Sequence, residues 1–396
     1  VTYDHPCLEP VLEKTLGIPL FQEQLMNMAV VAAGFSGAEA DQLRRAMGSN
    51  RSIKRMDSLR RRFYQGLEDT HGIVGEVADK LWNKMLAFAA YGFPESHSQS
   101  FAFLVYFSAW FKRYYPAEFY VGLLRAQPMG FYSPQSLLAD ARRHSLQILP
   151  IDLAHSGVQA TVEDGGIRVG FDLVKGLGAD AASRIVQTRE EYAFESMEDL
   201  ARRANLNAKE MEALSRAGVL AGLGVERRQA IWEAPQAALH NQDNLALNMD
   251  LPAPSLPGMN PFELMLADIA YTGVTTERQP MEFFRENLRK DGILSVADLS
   301  DCADGTRVHI AGIITHKQRP HTANGVTFFS VEDETGIANV VISQGLWQYQ
   351  KKLLSSAQAL VIRGMLRNNG SISITADNCE LLQAAQYLNP GSRDFR

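Results

Sequence analysis

Eight basic side chains stand close together between residues 44 and 62, with a single acid, Asp57, among them. The basic residues are Arg44, Arg45, Arg51, Lys54, Arg55, Arg60, Arg61 and Arg62. A local excess of seven positive charges within nineteen residues makes a strong field over a short segment, which suits a phosphate-bearing ligand. The plainer alternative is a solvated helix face. The segment indicates a phosphate contact without identifying the ligand.

A second pattern with chemical meaning is a pair of Gly-x-Gly segments. Gly176 and Gly178 precede Ile185, and Gly222 and Gly224 precede Ile231; in each copy the isoleucine falls nine positions after the first glycine. A helix–Gly-x-Gly–helix hairpin presents backbone N–H groups at a helix N-terminus, where a DNA phosphate can bind. The first copy predicts such a site, which would include Lys175. The second could be only a C-cap glycine followed by a new helix, which is favoured over a DNA contact there.

Composition limits the class of protein. The chain has 396 residues, 46% of them hydrophobic, which is ordinary for two to four globular domains. No apolar run approaches the roughly 20 residues of a membrane span, and no signal peptide is visible. The three cysteines lie far apart without metal-ligand spacing, as expected for reduced cytoplasmic thiols. A net charge of −6 argues against general nucleic-acid binding, but the charge is unevenly distributed.

The segments that position these residues fall into four predicted parts. Residues 1–145 are expected to be helical, with helices over 22–31, 38–47, 75–90 and 98–115. Residues 146–235 are expected to form a helix-hairpin-helix module that binds duplex DNA. Residues 236–295 are a predicted linker and connecting segment, because prolines recur between 252 and 261. Within that segment Gln242, Leu245 and Leu247 loosely resemble peptides that dock on the sliding clamp.

Residues 296–396 are predicted to form an OB-fold with a short tail, because five strand-like segments carry a helix after the third. The fold class is therefore mostly α with a C-terminal β-barrel. Such barrels commonly bind single strands, and Lys317, Arg319, Arg363 and Arg367 are the predicted backbone contacts. Three aromatic residues of the barrel are expected to fill its core rather than to stack on bases: Phe328, Trp347 and Tyr349.

Two motifs connect the first part to a known family. Residues 92–97 are Gly-Phe-Pro-Glu-Ser-His, and the helix after them ends in Tyr-Pro-Ala-Glu-Phe at 115–119. This pairing resembles the fingers of bacterial C-family DNA polymerases, the relatives of the polymerase III alpha subunit. The GFPESH variant and the ending Ser-Arg-Asp-Phe at 392–395 resemble the error-prone, damage-tolerant branch. The order of fingers, hairpin module and barrel is similar to that of the family over essentially the whole chain.

The resemblance implies that this part closes over an incoming nucleotide. Arg44 and Arg45 lie in a segment similar to the one that brings arginines near the triphosphate, where guanidinium groups donate bidentately to phosphate. His97 and Ser98 are expected to face the same pocket, and His97 could instead cap the following helix. Lys54 is expected to assist, although its surroundings depart from the family pattern.

Beside GFPESH, the phosphate-binding interpretation of the basic segment is favoured over a solvated face. Arg51 and Arg55 are accordingly expected to contact primer–template DNA. The resemblance implies two partners, the sliding clamp and a catalytically inert Y-family-like accessory protein. The expected location is the cytoplasm, with no membrane contact.

The same resemblance defines what this chain is expected to lack. Polymerases transfer nucleotides with carboxylate-bound Mg²⁺, and the sequence has no Asp-x-Asp in a strand context. Val1 falls within what resembles an ordered domain, so we expect the C-terminal part of a larger polymerase, with the Mg²⁺ ligands and catalytic carboxylates outside it. The fragment alone should bind DNA and dNTP without extending a primer.

Two rival interpretations stay open on the sequence. One is a non-enzymatic DNA-binding or scaffold protein built from helix-hairpin-helix and OB modules. The other is an OB protein similar to aminoacyl-tRNA synthetases, which is disfavoured because no adenylate-forming motif is present.

Overall fold

The structure is a computed structural model that describes residues 1–46, 52–89, 93–130, 132–240, 254–320, 323, 325–368, 370–382 and 393–395. The side chains of residues 46, 52–58, 88–89 and 393–395 lie outside this description. The chain forms two compact units, Val1–Trp110 and Phe111–Arg396. The first is helical, and the second combines helices with a barrel, which confirms the predicted fold class.

The first unit is built from helices that bury one face each. Its helices are α1 (Glu9–Leu12), α2 (Gln22–Ala33), α3 (Gly37–Ala46), α4 (Ser52–His71), α5 (Gly75–Ala89) and the greater part of α6 (Glu95–Tyr114). Leu25, Phe63 and Trp82 lie in one core with residues of α1 to α5. The four helices predicted from periodicity are all present, with bounds shifted by a few residues at most.

Helices α2 and α4 approach unusually closely, and a glycine makes this possible. A Cβ on Gly66 would lie 1.9 Å from the carbonyl oxygen of Ala33. The guanidinium of Arg62, one turn earlier, donates to the carbonyls of Ala33 at 3.1 Å and Gly34 at 2.9 Å. Those carbonyls end α2 and have no partner within their own helix, so Arg62 satisfies the C-terminus of one helix from the surface of another.

The second unit begins with a helical module around one core. Its elements are α7 (Pro116–Arg125), α8 (Pro134–Arg143), β1 (Ile148–Leu149), β2 (Thr161–Glu163), β3 (Gly166–Arg168), α9 (Ala179–Arg189), α10 (Met197–Arg203), α11 (Ala208–Arg216), α12 (Arg227–Ala237), α13 (Pro261–Tyr271) and α14 (Arg285–Lys290). Short 3₁₀ helices cover Phe171–Leu173, Val219–Leu223 and Pro280–Phe283. Tyr120, Phe171 and Leu214 lie in a single core with residues from α7 to α12.

The barrel follows. Its elements are β4 (Arg307–Gln318), β5 (Thr327–Glu332), β6 (Ile337–Ile342), α15 (Gln344–Tyr349), α16 (Lys351–Ser356), β7 (Ala359–Asn368), β8 (Ile372–Leu381) and β9 (Arg393–Phe395). The strands run β5-β6-β8-β7-β4, and β4 also pairs with β5, which closes the sheet on itself. Strand alternation buries Phe329 and Val340 and turns Phe328 outward. Five strands with the helices after the third match the prediction.

One strand was not predicted. β9 runs parallel to the end of β4, with His316 opposite Arg393 and Gln318 opposite Phe395. This part of β4 pairs with β5 on its other side, so β9 occupies a strand edge that β7 leaves open.

The observed divisions differ from the predicted ones in two places. The predicted first part ended at residue 145, but α7 and α8 share the core of the helical module, and the compact units divide after Trp110. The predicted linker at 236–295 contains two ordered helices, α13 and α14. Pro261 begins α13, where proline is well tolerated, so this proline marks a helix start.

Candidate nucleic-acid interface

The first Gly-x-Gly hairpin lies between the 3₁₀ helix Phe171–Leu173 and α9. Gly176 has φ +90°, a left-handed conformation that favours glycine. Leu177 points inward and is buried, and its N–H donates to the carbonyl of Val174 at 3.2 Å. Gly178 is the N-cap of α9 with φ −73° and ψ 158°. The turn is therefore tight on its inner side and exposed at both glycines.

The N-terminus of α9 is open to a ligand. No side chain caps it, and Gly178, Ala179 and Asp180 are exposed. A Cβ built on Gly178 meets no other atom within 4 Å. The first N–H groups of a helix have no partner within the helix and lie at the positive end of its dipole, which suits an anion. The carboxylate of Asp180 in the first turn opposes this field.

Buried side chains hold the hairpin in position. Ala181, Ala182 and Ile185 fix α9 against the core of the helical module. Lys175 anchors the other side, because its N–H donates to the carbonyl of Tyr271 at 2.8 Å. Its ammonium donates to the carbonyl of Ala270 at 2.7 Å, at the end of α13. Lys175 was predicted to contact DNA, and the structure gives its ammonium a contact within the fold.

The second Gly-x-Gly copy has a different geometry. Gly222 lies inside the 3₁₀ helix Val219–Leu223, and Gly224 is its left-handed C-cap with φ +75°. Helix α12 then begins at Arg227, whose guanidinium donates to Asp268 at 2.7 Å and lies against Gly218. This is the C-cap glycine that the sequence left open as an alternative. The arginine that opens α12 holds α13 in place.

Of the four basic barrel residues that were predicted to contact DNA, one is buried and three are exposed. Lys317 is buried, and its ammonium donates to the carbonyls of Ala357 at 3.0 Å and Ser355 at 3.2 Å. Because those carbonyls lie at the end of α16, Lys317 joins that helix to β4. The prediction that Lys317 contacts DNA is therefore wrong. The physical reason is the register shift in β4 between Ile314 and His316, which changes the alternation of the strand so that position 317 is buried.

The other three barrel arginines are exposed, with different neighbours. Arg363 donates to Asp377 at 2.6 Å, and Arg367 lies 4.0 Å from Asp304. Arg319 is exposed, with its guanidinium 5.2 Å from the centre of the Trp347 ring. Stacked in this way, it keeps its charge at the surface beside the end of β4.

Exposed aromatic rings lie on the same barrel. Phe328 is 39% exposed on β5, directly opposite Gln318, and Tyr349 is 85% exposed. The prediction that these two rings fill the core is wrong. For Trp347 it is confirmed, because this ring is partly buried and packs edge-on against buried Phe329 at 6.4 Å. An exposed ring on a barrel strand, such as Phe328, can stack on a nucleobase.

In the first unit, the two predicted nucleotide-binding arginines share one carboxylate. Asp41 lies 2.9 Å from Arg44 and 2.8 Å from Arg45, all on α3. The hydrogen bond from Arg44 is the main influence that lowers the pKa of Asp41, so the carboxylate stays charged. Both guanidinium groups remain largely exposed and can exchange this partner for a phosphate.

The predicted His97 and Ser98 lie in the first turns of α6. Glu23 caps this helix, since its carboxylate accepts from the N–H of Glu95 at 3.0 Å. Helix α6 begins at Glu95, two residues before His97, so His97 lies inside the helix rather than at its cap. The exposed His97 ring packs between the rings of Phe93 and Phe101, with distances between ring centroids of 5.0 Å and 4.6 Å. The N–H of Ser98 donates to the carbonyl of Pro94 at 3.1 Å, within the helix.

Several predicted residues fall outside the description. Arg51 and the clamp-like Gln242, Leu245 and Leu247 lie outside the described residues. The backbones of Lys54 and Arg55 belong to α4, but their side chains are not described. Within the described part of the chain, no group of three or more His, Cys, Asp or Glu residues could hold a metal ion. No described helix is both long and apolar enough to cross a membrane.

Three family models match this chain. The finger domain of the bacterial DNA polymerase III alpha subunit matches residues 1–71, a helix-hairpin-helix motif matches 145–230, and an OB-fold nucleic acid binding domain matches 308–382. The second match includes the exposed hairpin, and the third includes Arg319 and Phe328.

Similar curated proteins are named error-prone DNA polymerase. One from Corynebacterium efficiens is 61% identical over 399 residues, covering 100% of this chain and 37% of the relative. One from Corynebacterium glutamicum is 60% identical and one from Mycobacterium tuberculosis is 49% identical, with 37% and 36% of the relative covered. The chain thus spans little more than a third of their length. A solved asparaginyl-tRNA synthetase from Pyrococcus horikoshii is 19% identical and matches 20% of this chain and 20% of its own, with a TM-score of 0.18.

Proposed function

Because the chain belongs to the error-prone branch of the bacterial DNA polymerase III alpha family, we propose that it is the C-terminal part of a translesion DNA polymerase. In this proposal it holds primer–template DNA and the incoming nucleotide during damage-induced synthesis. The observation that carries the proposal is the exposed, uncapped N-terminus of α9 at Gly178, within the part that matches a helix-hairpin-helix motif.

The hairpin supplies the contact with duplex DNA. A phosphate oxygen accepts from the backbone N–H groups that follow Gly178, and the exposed glycines let the backbone come close. Backbone donors to a phosphate carry no base information, so this contact binds all sequences alike. That property suits a polymerase, which must move along any template.

The barrel supplies the contact with the single-stranded template. Phe328 offers a ring for stacking, and Arg319 offers a charge at the adjoining strand end. Stacking tolerates every base, including a damaged one, because each base has an aromatic face. Two different contacts for two forms of DNA would let one chain hold a primer–template junction.

Arg44 and Arg45 supply the contact with the triphosphate. Asp41 holds both guanidinium groups together before the nucleotide arrives, and phosphate oxygens then replace it. Two fixed guanidinium groups also stabilise negative charge on a departing pyrophosphate. His97 and Ser98 belong to the same proposal through the family resemblance.

Mg²⁺ would be needed by the full-length enzyme, with its ligands outside this chain. The described carboxylates do not gather into a group that fits the ion, so no step of the reaction is assigned to them. The sliding clamp, through Gln242, Leu245 and Leu247, and a Y-family-like accessory protein remain proposed partners. The proposed setting is the bacterial cytoplasm.

The experiment compares three DNA substrates with this chain. We expect fluorescence anisotropy to detect binding to a single strand and to a blunt duplex, and tighter binding to a primer with a template overhang. On all three substrates log affinity should fall linearly with log salt. With Mg²⁺ and dNTPs present, we expect no extension of the primer. Absence of binding to any of the three, at low salt and with the fold intact, would refute the proposal.

Nucleotide incorporation by the full-length protein tests the rival function. A scaffold that only binds DNA would lack the nucleotide contact, so Arg44→Ala and Arg45→Ala would leave the full-length protein's catalytic efficiency unchanged. We expect instead a loss of about ten- to a hundredfold per arginine, because each charge-assisted hydrogen bond contributes roughly 1.5–3 kcal/mol. Duplex affinity should change little.

A further inference from the structure

Helix α6 has no interior side. Among its described residues none is buried, although it runs for twenty residues. Between positions 101 and 110 the following large apolar side chains are 40% exposed or more: Phe101, Phe103, Leu104, Val105, Tyr106, Phe107 and Trp110. Together they expose on the order of 700 Å² of largely apolar surface, more than the few hundred Å² typical of a monomer's largest patch.

These side chains surround the helix. Successive residues of an α-helix are rotated by about 100°, so the run from Phe103 to Phe107 covers the whole circumference. The residues between them are small: Ala102, Ser108 and Ala109. A helix that is apolar on every side is an interior helix.

Helix α5 provides the contrast within the same unit. It buries Ala78, Leu81, Trp82 and Met85 on one face and carries charged residues such as Lys80 at the surface. That is the pattern of a helix at the edge of a core. Helix α6 is joined to the unit at its first turn, through Glu95 with Glu23 and through the bridge of Phe93 to Phe21.

The composition of α6 also narrows what can cover it. No Asp, Glu, Lys or Arg occurs from Ser96 to Phe111. A nucleic-acid surface would need positive charge. A transient docking helix needs one apolar face, with polar residues on the other. Cover on every side is what the interior of a single folded protein supplies.

We propose that α6 is an interior helix of the full-length polymerase, enclosed by the part of that polymerase that lies outside these 396 residues. The curated relatives indicate what could cover α6, because this chain matches only 37% of the length of the first two and the rest of such a polymerase is available. The proposal rests on the proposed function insofar as it takes the chain to be part of such a polymerase. It does not depend on DNA binding or on activity.

Hydroxyl-radical footprinting of this chain alone and of the full-length polymerase tests the proposal. Labelling of Phe103, Tyr106 and Phe107 should fall about fivefold or more in the full-length protein, in step with a change from exposed to buried. Tyr349, 85% exposed on the barrel, serves as the internal control and should label equally in both. Sedimentation of both proteins shows whether each is monomeric.

A pair of variants gives a second measurement. Tyr106→Ser should leave the stability of this chain unchanged, because the ring is 68% exposed, and should lower that of the full-length protein. Tyr349→Ser should change neither. Equal labelling of α6 in the two proteins would overturn the proposal. Protection that appears only on self-association, in step with concentration, would also overturn it by making a second copy the occupant. Loss of DNA binding with α6 still protected would defeat the proposed function alone.

Discussion

The hairpin at Gly176–Gly178 and the barrel of β4 to β8 were both predicted to hold DNA, yet they present different chemical groups. In the hairpin the donors are backbone N–H groups at an uncapped helix start. In the barrel they are long basic side chains, and one of these, Lys317, already binds carbonyls inside the fold. Another, Arg363, is paired with Asp377.

The difference shows which sequence pattern better indicates a group that stays available to DNA in the folded protein. A flexible basic side chain can turn toward any nearby carboxylate or helix end, so its presence in a sequence does not establish a free charge. Backbone donors at a helix start are fixed in direction, and only a cap or a ligand can satisfy them. The glycine spacing therefore identified the better candidate, and the following predictions test this contrast.

Lys317→Met should cause the largest effect, on stability rather than on DNA binding. It removes two hydrogen bonds from a buried ammonium and leaves two carbonyls at the end of α16 without a donor. We expect the free energy of unfolding in urea to fall by about 3 kcal/mol. Lys351→Met, at an exposed position of the same helix, is the matched control. A loss of single-strand affinity with unchanged stability would restore Lys317 to the DNA surface.

Glu332 joins the barrel to α8 of the helical module, and its ionisation should make this contact depend on pH. It lies on β5 and faces Arg143 of α8 at 2.9 Å, with Ser136 at 3.4 Å and Asp140 beyond Arg143. Burial raises the pKa of this carboxyl from 4.5 to about 7, against the lowering effect of Arg143. Between these two values the folded protein retains a proton that the unfolded chain has lost.

The contribution of Glu332 to stability should therefore be complete below pH 4.5 and should decline as the pH rises to about 7. The decline amounts to on the order of 3 kcal/mol. Glu332→Gln should flatten the slope of unfolding free energy between pH 5 and 8, measured by chemical denaturation. Glu286→Gln, at an exposed position, should leave the slope intact. An identical slope in both variants would show that Glu332 is not the titrating group.

Phe328→Ala tests the barrel as a single-strand platform. Removing one stacking ring should weaken binding to a single strand by about tenfold, since each stacked base contributes roughly 1–3 kcal/mol. Blunt-duplex binding should be nearly unchanged. The control is Ile337→Ala, another exposed apolar residue of the sheet, on β6. If both variants lose the same affinity, general contact with the barrel explains the result better than stacking.

Gly222→Ala should have the smallest effect, because the second hairpin is a C-cap turn rather than an open helix start. Its φ is not positive, and the nearest atom to a new Cβ is Asp152 Oδ2 at 3.4 Å, an ordinary contact. We expect less than a twofold change in duplex affinity. A tenfold loss of duplex affinity in the same anisotropy titration would show that both hairpins contact DNA.

Much of the architecture could be predicted from the sequence, since apolar spacing and turn residues act locally. The barrel strands and the helices of the first unit belong to this group. Long-range partners could not be predicted. Nothing near Arg62 in sequence indicates that it satisfies the end of α2, and nothing near Lys317 indicates the carbonyls of α16. Alternation counted from buried Val308, Ile310 and Ile314 places position 317 on the outside, and the register shift between Ile314 and His316 turns it inward.

Gly178→Asp gives the most direct test of the central claim, that the start of α9 holds a duplex phosphate. An aspartate at an N-cap accepts from the helix N–H groups, so the fold should be as stable as before or slightly more stable. The same carboxylate occupies the site and repels phosphate, so we expect duplex affinity to fall about tenfold on every sequence, with a shallower salt dependence. Gly178→Ala, whose Cβ enters open space, should bind within about twofold of the original. Undiminished duplex binding by a folded Gly178→Asp protein would contradict the account.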